Sequence, residues 1–311
     1  MLFVSPSPLS GMGQVVKKYA ELHGSSVLQI EDSIPSGQDV FLFALPIPKW
    51  IERIDEIKEK SNSVICMTVC ETETVHPTYG ELFKMFDRIA VPSEFCQRVF
   101  SRQFPNTEFK VIRHWLPKAT PKHNLTLPEN KPYIFYNIGN FLDHRKQCKK
   151  MIEAFIRLQL PNAIFIFKAT CKQDVNIKIP NVFIINGLAP DELIQSLHTQ
   201  CHCYVSFSNS EGVGMGAVEA ALYDKPVIIT EYGGAKEHVR TPYTIECDRK
   251  KVGVDDFLYT KDLEWGEPKM DQLMEFMKDA YEKDLKYMNH SYTKNLISSE
   301  NVKSQFTTFH S

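Results

Sequence analysis

The sequence predicts an α/β protein made of two doubly wound domains, and three observations support this. Short apolar runs of strand length alternate with helix-like segments along most of the chain. Parallel strands need a crossover of a dozen or more residues, usually a helix, so this alternation is typical of parallel sheets. A proline-rich stretch divides the series near its middle, and a length of 311 residues fits about two domains.

The first series predicts an N-terminal domain over residues 1–115. Apolar runs predict its strands at 2–4, 27–30, 40–45, 63–69, 88–91 and 109–115. Helical spacing predicts helices at 14–22, 50–60, 79–86 and from 92 to about 100. These elements are sufficient for one Rossmann-like sheet with helices packed on its faces.

A linker is predicted over residues 116–131, where three prolines occur among lysine, threonine and asparagine. A second domain is predicted over residues 132–311 and ends in a polar helical tail that begins near Met270. Its strands are predicted at 133–138, 163–168, 182–185, 203–207, 226–230 and 243–247, and its helices at 147–158, 191–198 and 214–223. In such folds ligands bind at the carboxyl ends of the strands, so we expect them in a cleft between the domains.

The composition excludes several classes of protein. The chain has 36 Lys and Arg against 38 Asp and Glu, which argues against a strongly basic nucleic-acid binder. Hydrophobic residues at 43% argue against a disordered chain. Eight scattered cysteines do not suggest a disulfide framework, and neither a signal peptide nor an apolar run of about 18 residues is present. We therefore expect a cytoplasmic protein, with peripheral contact at a membrane face left open.

The most informative segment is a glycine-rich loop at 208–220, which follows a predicted strand and opens a helix. Its glycines allow close backbone approach, and the free N–H groups of a helix N-terminus suit an anionic phosphate. Glu211 and Glu219 could accept hydrogen bonds from sugar hydroxyls. On these residues alone, a glycine-rich turn in which Glu211 merely caps the helix is an equally good interpretation.

The spacing of Glu211 and Glu219, E-x7-E, resembles the signature of retaining glycosyltransferases of family 4. The following segment at 223–234 is similar to the same family, although Asp224 occupies a position where glycine is usual. The resemblance covers most of residues 133–240. It implies the architecture called GT-B, in which two Rossmann-like domains enclose a cleft.

The resemblance also implies roles for the loop. Glu211 is expected to contact the transferred sugar and Glu219 the ribose hydroxyls of the donor. The backbone of Val213, Gly214 and Met215 is expected to approach the donor phosphates. The second domain would then bind the nucleotide-sugar, and the first domain the acceptor.

The loop at 138–147 is similar to the family's cationic "G-R-x-x-x-x-K" loop. Lys146 matches the lysine, whereas Asn140 replaces the usual arginine and the loop is one residue longer. A positioned cation stabilises the negative charge of a departing diphosphate, so Lys146 is the predicted catalytic cation. Arg145 is the candidate to supply the missing charge. A solvated basic helix start is the alternative, although cations there oppose the helix dipole.

Two segments of the first domain resemble other parts of the family. The loop that contains Gly11 and Gly13 is similar to the glycine loop that faces the donor phosphates. Glu71 and His76 follow a buried strand, where a similar stretch lies on the acceptor side, and His76 is a plausible proton carrier. Simple turns are the alternatives for both segments. Ser93 is predicted to cap a helix.

No metal site is predicted. His198, Cys201, His202 and Cys203 are close in sequence, but successive side chains of a strand point to opposite faces and no second pair of finger-like spacing exists. The cysteines therefore indicate a buried core strand. The chain also lacks a D-x-D triplet, on which metal-dependent glycosyltransferases of the other common architecture usually hold their ion. We expect an enzyme that needs neither a metal nor a cofactor.

The resemblance thus implies a retaining glycosyltransferase that moves a sugar from a UDP- or GDP-sugar to a hydroxyl of a glycan, glycoconjugate or lipid-linked acceptor. Two alternatives remain. The loss of arginine at Asn140 favours a nucleotide-sugar-binding protein without transferase activity. A nucleotide-sugar epimerase of the same architecture is the other, and the complete E-x7-E argues against it.

Overall fold

In a computed structural model, the chain is described at residues 1–6, 10–120, 125–171, 173–187, 189–255 and 258–309. Part of the predicted first glycine loop, 7–9, and part of the predicted linker, 121–124, lie outside the described residues. Two six-stranded sheets are present, and the strand pairs recorded in them are parallel. The predicted α/β class is therefore confirmed. The chain divides into two compact units, each made of more than one segment.

Unit 1 comprises Met1–Pro117, Lys251–Trp265 and Asn295–Ser311. Its sheet has the order β2-β1-β3-β4-β5-β6. The strands are β1 (Leu2–Ser5), β2 (Val27–Gln29), β3 (Asp39–Phe43), β4 (Ser63–Met67), β5 (Arg88–Val91) and β6 (Glu108–Val111). The helices between them are α1 (Gly11–His23), α2 (Pro48–Lys60), α3 (Tyr79–Phe83) and α4 (Glu94–Gln103).

Side-chain caps fix the start of two helices in unit 1. Ser10 Oγ accepts a hydrogen bond from the Gly13 N–H at 3.0 Å and thereby caps α1. Ser93 Oγ accepts from the Cys96 N–H at 3.2 Å and caps α4, as predicted. Both caps satisfy N–H groups that have no partner inside their helix, and so fix where each strand-to-helix loop ends.

Unit 2 comprises Lys118–Lys250 and Gly266–Lys294, and its sheet has the order β12-β11-β10-β7-β8-β9. The strands are β7 (Tyr133–Gly139), β8 (Ala163–Ala169), β9 (Val182–Ile185), β10 (Cys203–Val205), β11 (Val227–Thr230) and β12 (Thr244–Ile245). The helices are α5 (Cys148–Leu158), α6 (Asp191–Gln200), α7 (Met215–Leu222), α8 (Ala235–His238) and α9 (Met270–Glu282). Strand order reverses between β7 and β10, and this reversal is where open α/β sheets bind their ligands.

The core of unit 2 is aromatic and aliphatic on the sheet face that packs against α5 and α9. It includes Phe135, Phe165 and Phe167, and the last two rings stack at 4.2 Å. Cys203 is fully buried in this core, as predicted. In the described part of the chain, no group of three or more His, Cys, Asp or Glu side chains is arranged to hold a metal ion. None of the described helices is both long enough and apolar enough to cross a membrane.

The predicted extent of the second domain differs from the structure at the C-terminal end. We predicted a single domain over 132–311, but Lys251–Trp265 and Asn295–Ser311 belong to unit 1. The reason is apolar packing, because Phe306 on α11 (Ser299–Thr307) lies against the rings of Tyr19 and Phe41. A polar helical pattern does not reveal which sheet such a residue packs on.

A two-stranded ribbon was also not predicted. Strands β13 (Cys247–Lys251) and β14 (Glu264–Pro268) pair with each other outside both large sheets. Most residues of β13 are exposed and charged, so this strand carries no apolar alternation that could have indicated it. A short helix, α10 (Ser291–Leu296), follows α9 within the predicted helical tail.

Candidate active site

The candidate site of unit 2 is formed by the loops that leave β7 and β10, the two strands on either side of the strand-order reversal. These loops are the cationic loop, residues 139–147, and the glycine loop, residues 206–214. A backbone hydrogen bond joins them directly, from the Asn209 N–H to the Arg145 carbonyl at 2.8 Å. The two sequence motifs are therefore neighbours in space.

The cationic loop contains a turn of 3-10 helix at His144–Lys146. Asp143 caps this turn, because its Oδ1 accepts from the Arg145 N–H at 3.0 Å. Gln147 then adopts a left-handed conformation, with φ of 52°, before α5 begins. The 3-10 turn places two consecutive cations at the end of β7.

Lys146 and Arg145 both contact Glu211 of the glycine loop. Lys146 Nζ lies 2.5 Å from Glu211 Oε1, and Arg145 Nη1 lies 3.2 Å from Glu211 Oε2. The structure thus brings together the three residues that were predicted to be catalytic. Arg145 has further structural contacts, because its guanidinium also donates to the Ser210 carbonyl at 2.5 Å and to Asp143 at 3.1 Å.

The two cations keep Glu211 ionised. Burial by itself would raise the pKa of Glu211, but Lys146 and Arg145 outweigh burial and lower it from 4.5 to about 2. Hydrogen bonds from Lys146 and Ser208 act in the same direction. At neutral pH the two positive charges of Lys146 and Arg145 are therefore paired with the carboxylates of Glu211 and Asp143, so these four side chains balance in charge.

Glycines shape the loop around Glu211. Gly214 has φ of 75° and forms the N-cap of α7 without a side-chain cap. A β-carbon at Gly233, where φ is 86°, would lie 2.5 Å from the Glu211 carbonyl oxygen. A β-carbon at Gly216 would overlap the hydroxyl of Tyr204. Glycine is required at these positions because the backbone is left-handed or another group approaches too closely.

The predicted donor-binding backbone surrounds the start of α7. Val213 is buried, Gly214 caps the helix, and Met215 is its first residue. The first turn of a helix leaves N–H groups without a partner inside the helix. The approach of phosphates to the start of this short helix stays a prediction.

Sequence reasoning missed Asn209, which is fully buried and connects three segments. Its Oδ1 accepts from Gln147 Nε2 at 2.7 Å, and its Nδ2 donates to the Gly266 carbonyl at 2.6 Å and to Glu267 at 3.2 Å. It therefore fixes the glycine loop against the cationic loop and β14. An asparagine in a loop is too common to have indicated this role, and only its position two residues before Glu211 was a clue.

Glu219 lies on α7 with its side chain 28% exposed, and its Oε2 is 3.5 Å from Nε2 of the buried His198. Asn140, which replaces the family's arginine, is exposed. Its Oδ1 accepts from the Leu142 N–H at 3.2 Å and so stabilises the local turn. Asn140 thus has a structural contact of its own.

The candidate residues of unit 1 make separate contacts. Glu71 accepts a hydrogen bond from the Tyr259 hydroxyl, and Tyr259 belongs to the segment Lys251–Trp265. His76 Nδ1 lies 2.8 Å from the Thr78 hydroxyl, in a turn after β4. Gly11 and Gly13 are at the start of α1, where Gly13 is buried and Gly11 is exposed.

Comparison with known proteins agrees with this geometry. Residues 120–244, which include both loops of the candidate site, match the family model described as "Glycosyl transferases group 1". None of the curated proteins with which the sequence was compared matches it. The solved structures that resemble this chain are GT-B glycosyltransferases. The fold is GT-B.

Three of these structures illustrate the similarity. HepE from Anabaena, solved with UDP-glucose, is 14% identical with a TM-score of 0.64, over 98% of this chain and 97% of its own. TarM from S. aureus, in a complex that contains UDP, is 14% identical with a TM-score of 0.61, and the match covers 87% of this chain and 55% of TarM. A UDP-forming trehalose-phosphate synthase from Burkholderia xenovorans is 12% identical with a TM-score of 0.64, and the match covers 94% of this chain and 75% of the synthase.

Proposed function

We propose that this protein is a retaining glycosyltransferase, similar to family 4, that transfers a sugar from a UDP- or GDP-sugar to an acceptor hydroxyl. The observation that carries the proposal is the convergence of Lys146 and Arg145 on Glu211 beside the start of α7. Two cations of one loop and a glycine-capped helix start are what a departing nucleoside diphosphate requires. The match of residues 120–244 to a glycosyltransferase family supports the same conclusion.

The two cations have different roles in this proposal. Arg145 is 7% exposed and holds the Ser210 carbonyl, so it mainly positions the glycine loop. Within the described residues, the side-chain nitrogen of Lys146 has one recorded polar contact, the Glu211 carboxylate. Lys146 can therefore turn from Glu211 to the donor phosphates when a donor enters. Glu211 is then released to accept hydrogen bonds from the transferred sugar.

The reaction follows from this arrangement. The bond between the anomeric carbon and the diphosphate oxygen breaks, and its electron pair leaves with the nucleoside diphosphate. The acceptor oxygen forms the new bond on the same face of the sugar, and its proton passes to the departing phosphate oxygen. Lys146 stabilises the negative charge that develops on that oxygen, while the α7 N–H groups bind the phosphates.

The donor and acceptor are proposed as chemical classes. HepE and the pneumococcal O-GlcNAc transferase GtfA were solved with UDP-glucose and with UDP and GlcNAc, which favours a UDP-sugar here. The acceptor is a hydroxyl of a glycan, a glycoconjugate or a lipid-linked molecule, bound by unit 1 near Glu71 and His76. A lipid-linked acceptor would bring the protein to a membrane face from the cytoplasm.

Nucleotide release from a panel of UDP-, GDP- and ADP-sugars tests the proposal. We expect slow hydrolysis of one donor even without an acceptor, because water can replace the acceptor hydroxyl. Binding without turnover would instead support the non-catalytic alternative, which the absence of an arginine at Asn140 favours. Isomerisation of the sugar would support an epimerase.

Metal dependence is a second test. We expect EDTA to change turnover by less than about twofold, because Lys146 and the helix start supply the charge that a divalent ion would otherwise provide. Activity that disappears on chelation and returns with magnesium or manganese would contradict this part of the proposal.

A further inference from the structure

A buried histidine contacts Glu219 from outside the sequence motifs. His198 is 1% exposed on α6, and its Nε2 lies 3.5 Å from Glu219 Oε2. That nitrogen makes no hydrogen bond within the described residues, although it is buried. A buried polar atom in a native structure normally has a partner, so its direction toward a carboxylate requires an explanation.

Tyr136 determines which nitrogen of His198 carries the proton. The Tyr136 hydroxyl lies 2.9 Å from His198 Nδ1. Burial raises the pKa of Tyr136 well above 10, so its hydroxyl keeps its proton and can donate to Nδ1. The ring proton is then on Nε2 and faces Glu219. The other tautomer would place a lone pair against the carboxylate, which is unfavourable.

A second tyrosine fixes the plane of the ring. Tyr223 stacks on His198 with 5.6 Å between the ring centroids and 9° between the planes. The Tyr223 hydroxyl donates to the Ala119 carbonyl at 2.7 Å and so holds its own ring in place. His198 is therefore constrained by contacts to two residues, Tyr136 at Nδ1 and Tyr223 across its face.

We propose that His198 is a positioning residue for nucleotide binding, which orients Glu219 by donating from Nε2–H to one of its carboxylate oxygens. The other oxygen of Glu219 is then directed to the two neighbouring hydroxyls of the donor ribose. This inference rests on the proposed function and on the expectation, given by the family resemblance, that Glu219 binds the ribose hydroxyls. It adds a series of side-chain contacts, from Tyr136 through His198 to Glu219, that positions Glu219 for the ribose.

The physical benefit is preorganisation. A glutamate side chain that is 28% exposed on a helix samples several rotamers, and ligand binding must then restrict them. A hydrogen bond from a fixed imidazole restricts them in advance, in the way that outer-shell partners orient metal ligands. Loss of His198 should therefore weaken the binding of ligands that have ribose hydroxyls and leave the binding of ligands without them unchanged.

Calorimetry with UDP and with 2′,3′-dideoxy-UDP tests this, using the corresponding GDP pair if the donor panel selects GDP. We expect His198→Phe to weaken UDP binding by about 10- to 100-fold, the effect of one hydrogen bond to a charged group, and to change the binding of dideoxy-UDP by less than about twofold. Tyr136→Phe keeps the ring packing and should give a smaller effect of the same pattern. Thr199→Ala is the matched control, because Thr199 is exposed beside His198 on α6 and its hydroxyl donates to the Gln195 carbonyl; we expect no change with either ligand.

A double variant separates this inference from the proposed function. If His198 acts through Glu219, adding His198→Phe to Glu219→Ala should cause no further loss of UDP affinity. If His198→Phe weakened the binding of UDP and of dideoxy-UDP equally, the role of His198 would be structural and the inference would be overturned. The same conclusion follows if Glu219→Ala weakens UDP while folded His198→Phe and Tyr136→Phe do not. A wild-type protein that binds neither UDP nor GDP would overturn the proposed function as well.

Discussion

At the scale of single residues, Lys146 is the side chain on which the proposed chemistry depends. It ends a turn at the carboxyl end of β7 and reaches the Glu211 carboxylate. A cation that acts mainly as the diphosphate departs lowers the barrier more than it strengthens donor binding. We expect Lys146→Ala to reduce turnover by roughly 10²–10³, with a smaller effect on donor affinity.

Single-turnover transfer measures this effect, and Lys149→Ala is the matched control. Lys149 is exposed at the start of α5, so its removal deletes the same charge three residues away from the contact. We expect the control to keep nearly full activity. A folded Lys146→Ala enzyme with the wild-type rate would exclude Lys146 from the mechanism and favour the non-catalytic alternative.

The pKa of Glu211 predicts how acid affects stability. Its value in the folded protein, about 2, is below its usual value of 4.5, because Lys146 and Arg145 outweigh the effect of burial. The ionised carboxylate therefore stabilises the fold above pH 4.5, and this contribution is lost as the pH falls through about 2. Its size is on the order of 1–3 kcal/mol.

Chemical unfolding at a series of pH values tests this prediction. Glu211→Gln should reduce the loss of unfolding free energy between pH 4.5 and 2, because the glutamine cannot be protonated in that range. Glu246→Gln is the comparison: Lys269 lowers the pKa of Glu246 as well, but this pair is exposed, so we expect a smaller change in acid dependence than for Glu211→Gln. If Glu211→Gln had the same acid dependence as the wild type, the ion pairs with Lys146 and Arg145 would not contribute.

At the scale of elements, helix α7 packs so closely on the sheet that Gly216 cannot carry a side chain. A methyl group there would overlap the Tyr204 hydroxyl and lie 3.3 Å from the Ile138 carbonyl. We expect Gly216→Ala to lower the free energy of unfolding by about 1–3 kcal/mol, as overpacking does. Tyr204→Phe should partly restore stability in the double variant, because it removes the overlapping hydroxyl.

Thermal or urea unfolding gives the comparison, and Gly80→Ala in α3 is the control. A methyl group at Gly80 would meet only a Phe104 ring carbon at 3.4 Å, which is an ordinary contact. Alanine also favours a helix over glycine, so this substitution should be neutral or stabilising. Equal effects at the two glycines would show that α7 can move away from the sheet.

The existence and order of the elements were predictable from the sequence, because buried parallel strands are apolar runs between helices. The large sheets contain twelve strands near their predicted positions, and several boundaries shift by a few residues. The ribbon of β13 and β14 was missed, since β13 is charged and exposed, while β14 contains a glycine and a proline and forms no apolar run. Gly266 of β14 contacts the site by accepting a hydrogen bond from Asn209, and no local sequence pattern indicates this contact.

The site was predictable to the extent that motifs encode it. Lys146 and Arg145 were predicted to stabilise the diphosphate and Glu211 to contact the transferred sugar; the structure places the three in contact, while these roles stay predictions. His198 was considered only as part of a possible zinc cluster. Its contacts with Glu219 and Tyr223 join residues of α6 to residues of α7 and its C-cap, and no local sequence pattern records them.

At the scale of the whole molecule, Phe306 completes the core of unit 1 from a distant part of the chain. Its ring lies 4.7 Å from that of His23 and 5.1 Å from that of Tyr19. We expect Phe306→Ala to lower the free energy of unfolding of unit 1 by about 3–5 kcal/mol, through the cavity that it leaves. Calorimetry should resolve this as a shift of one transition, while the transition of unit 2 keeps its temperature.

Phe183→Ala is the control, because Phe183 on β9 is 47% exposed and its removal leaves no cavity. If Phe306→Ala lowered both transitions equally, the two units would unfold as one cooperative body. If neither transition moved, the C-terminal helix α11 would not contribute to the core.

The segmented make-up of unit 1 has a consequence for biosynthesis. A ribosome delivers the chain from its N-terminal end, so the strands of unit 1 emerge first, but Phe306 emerges after the whole of unit 2 has been made. The last residue of unit 2 is Lys294, so that unit has all its parts while unit 1 still exposes the apolar surface around Tyr19. We expect the half of the protein that is translated first to mature last. During that interval it is the half exposed to aggregation and to chaperones.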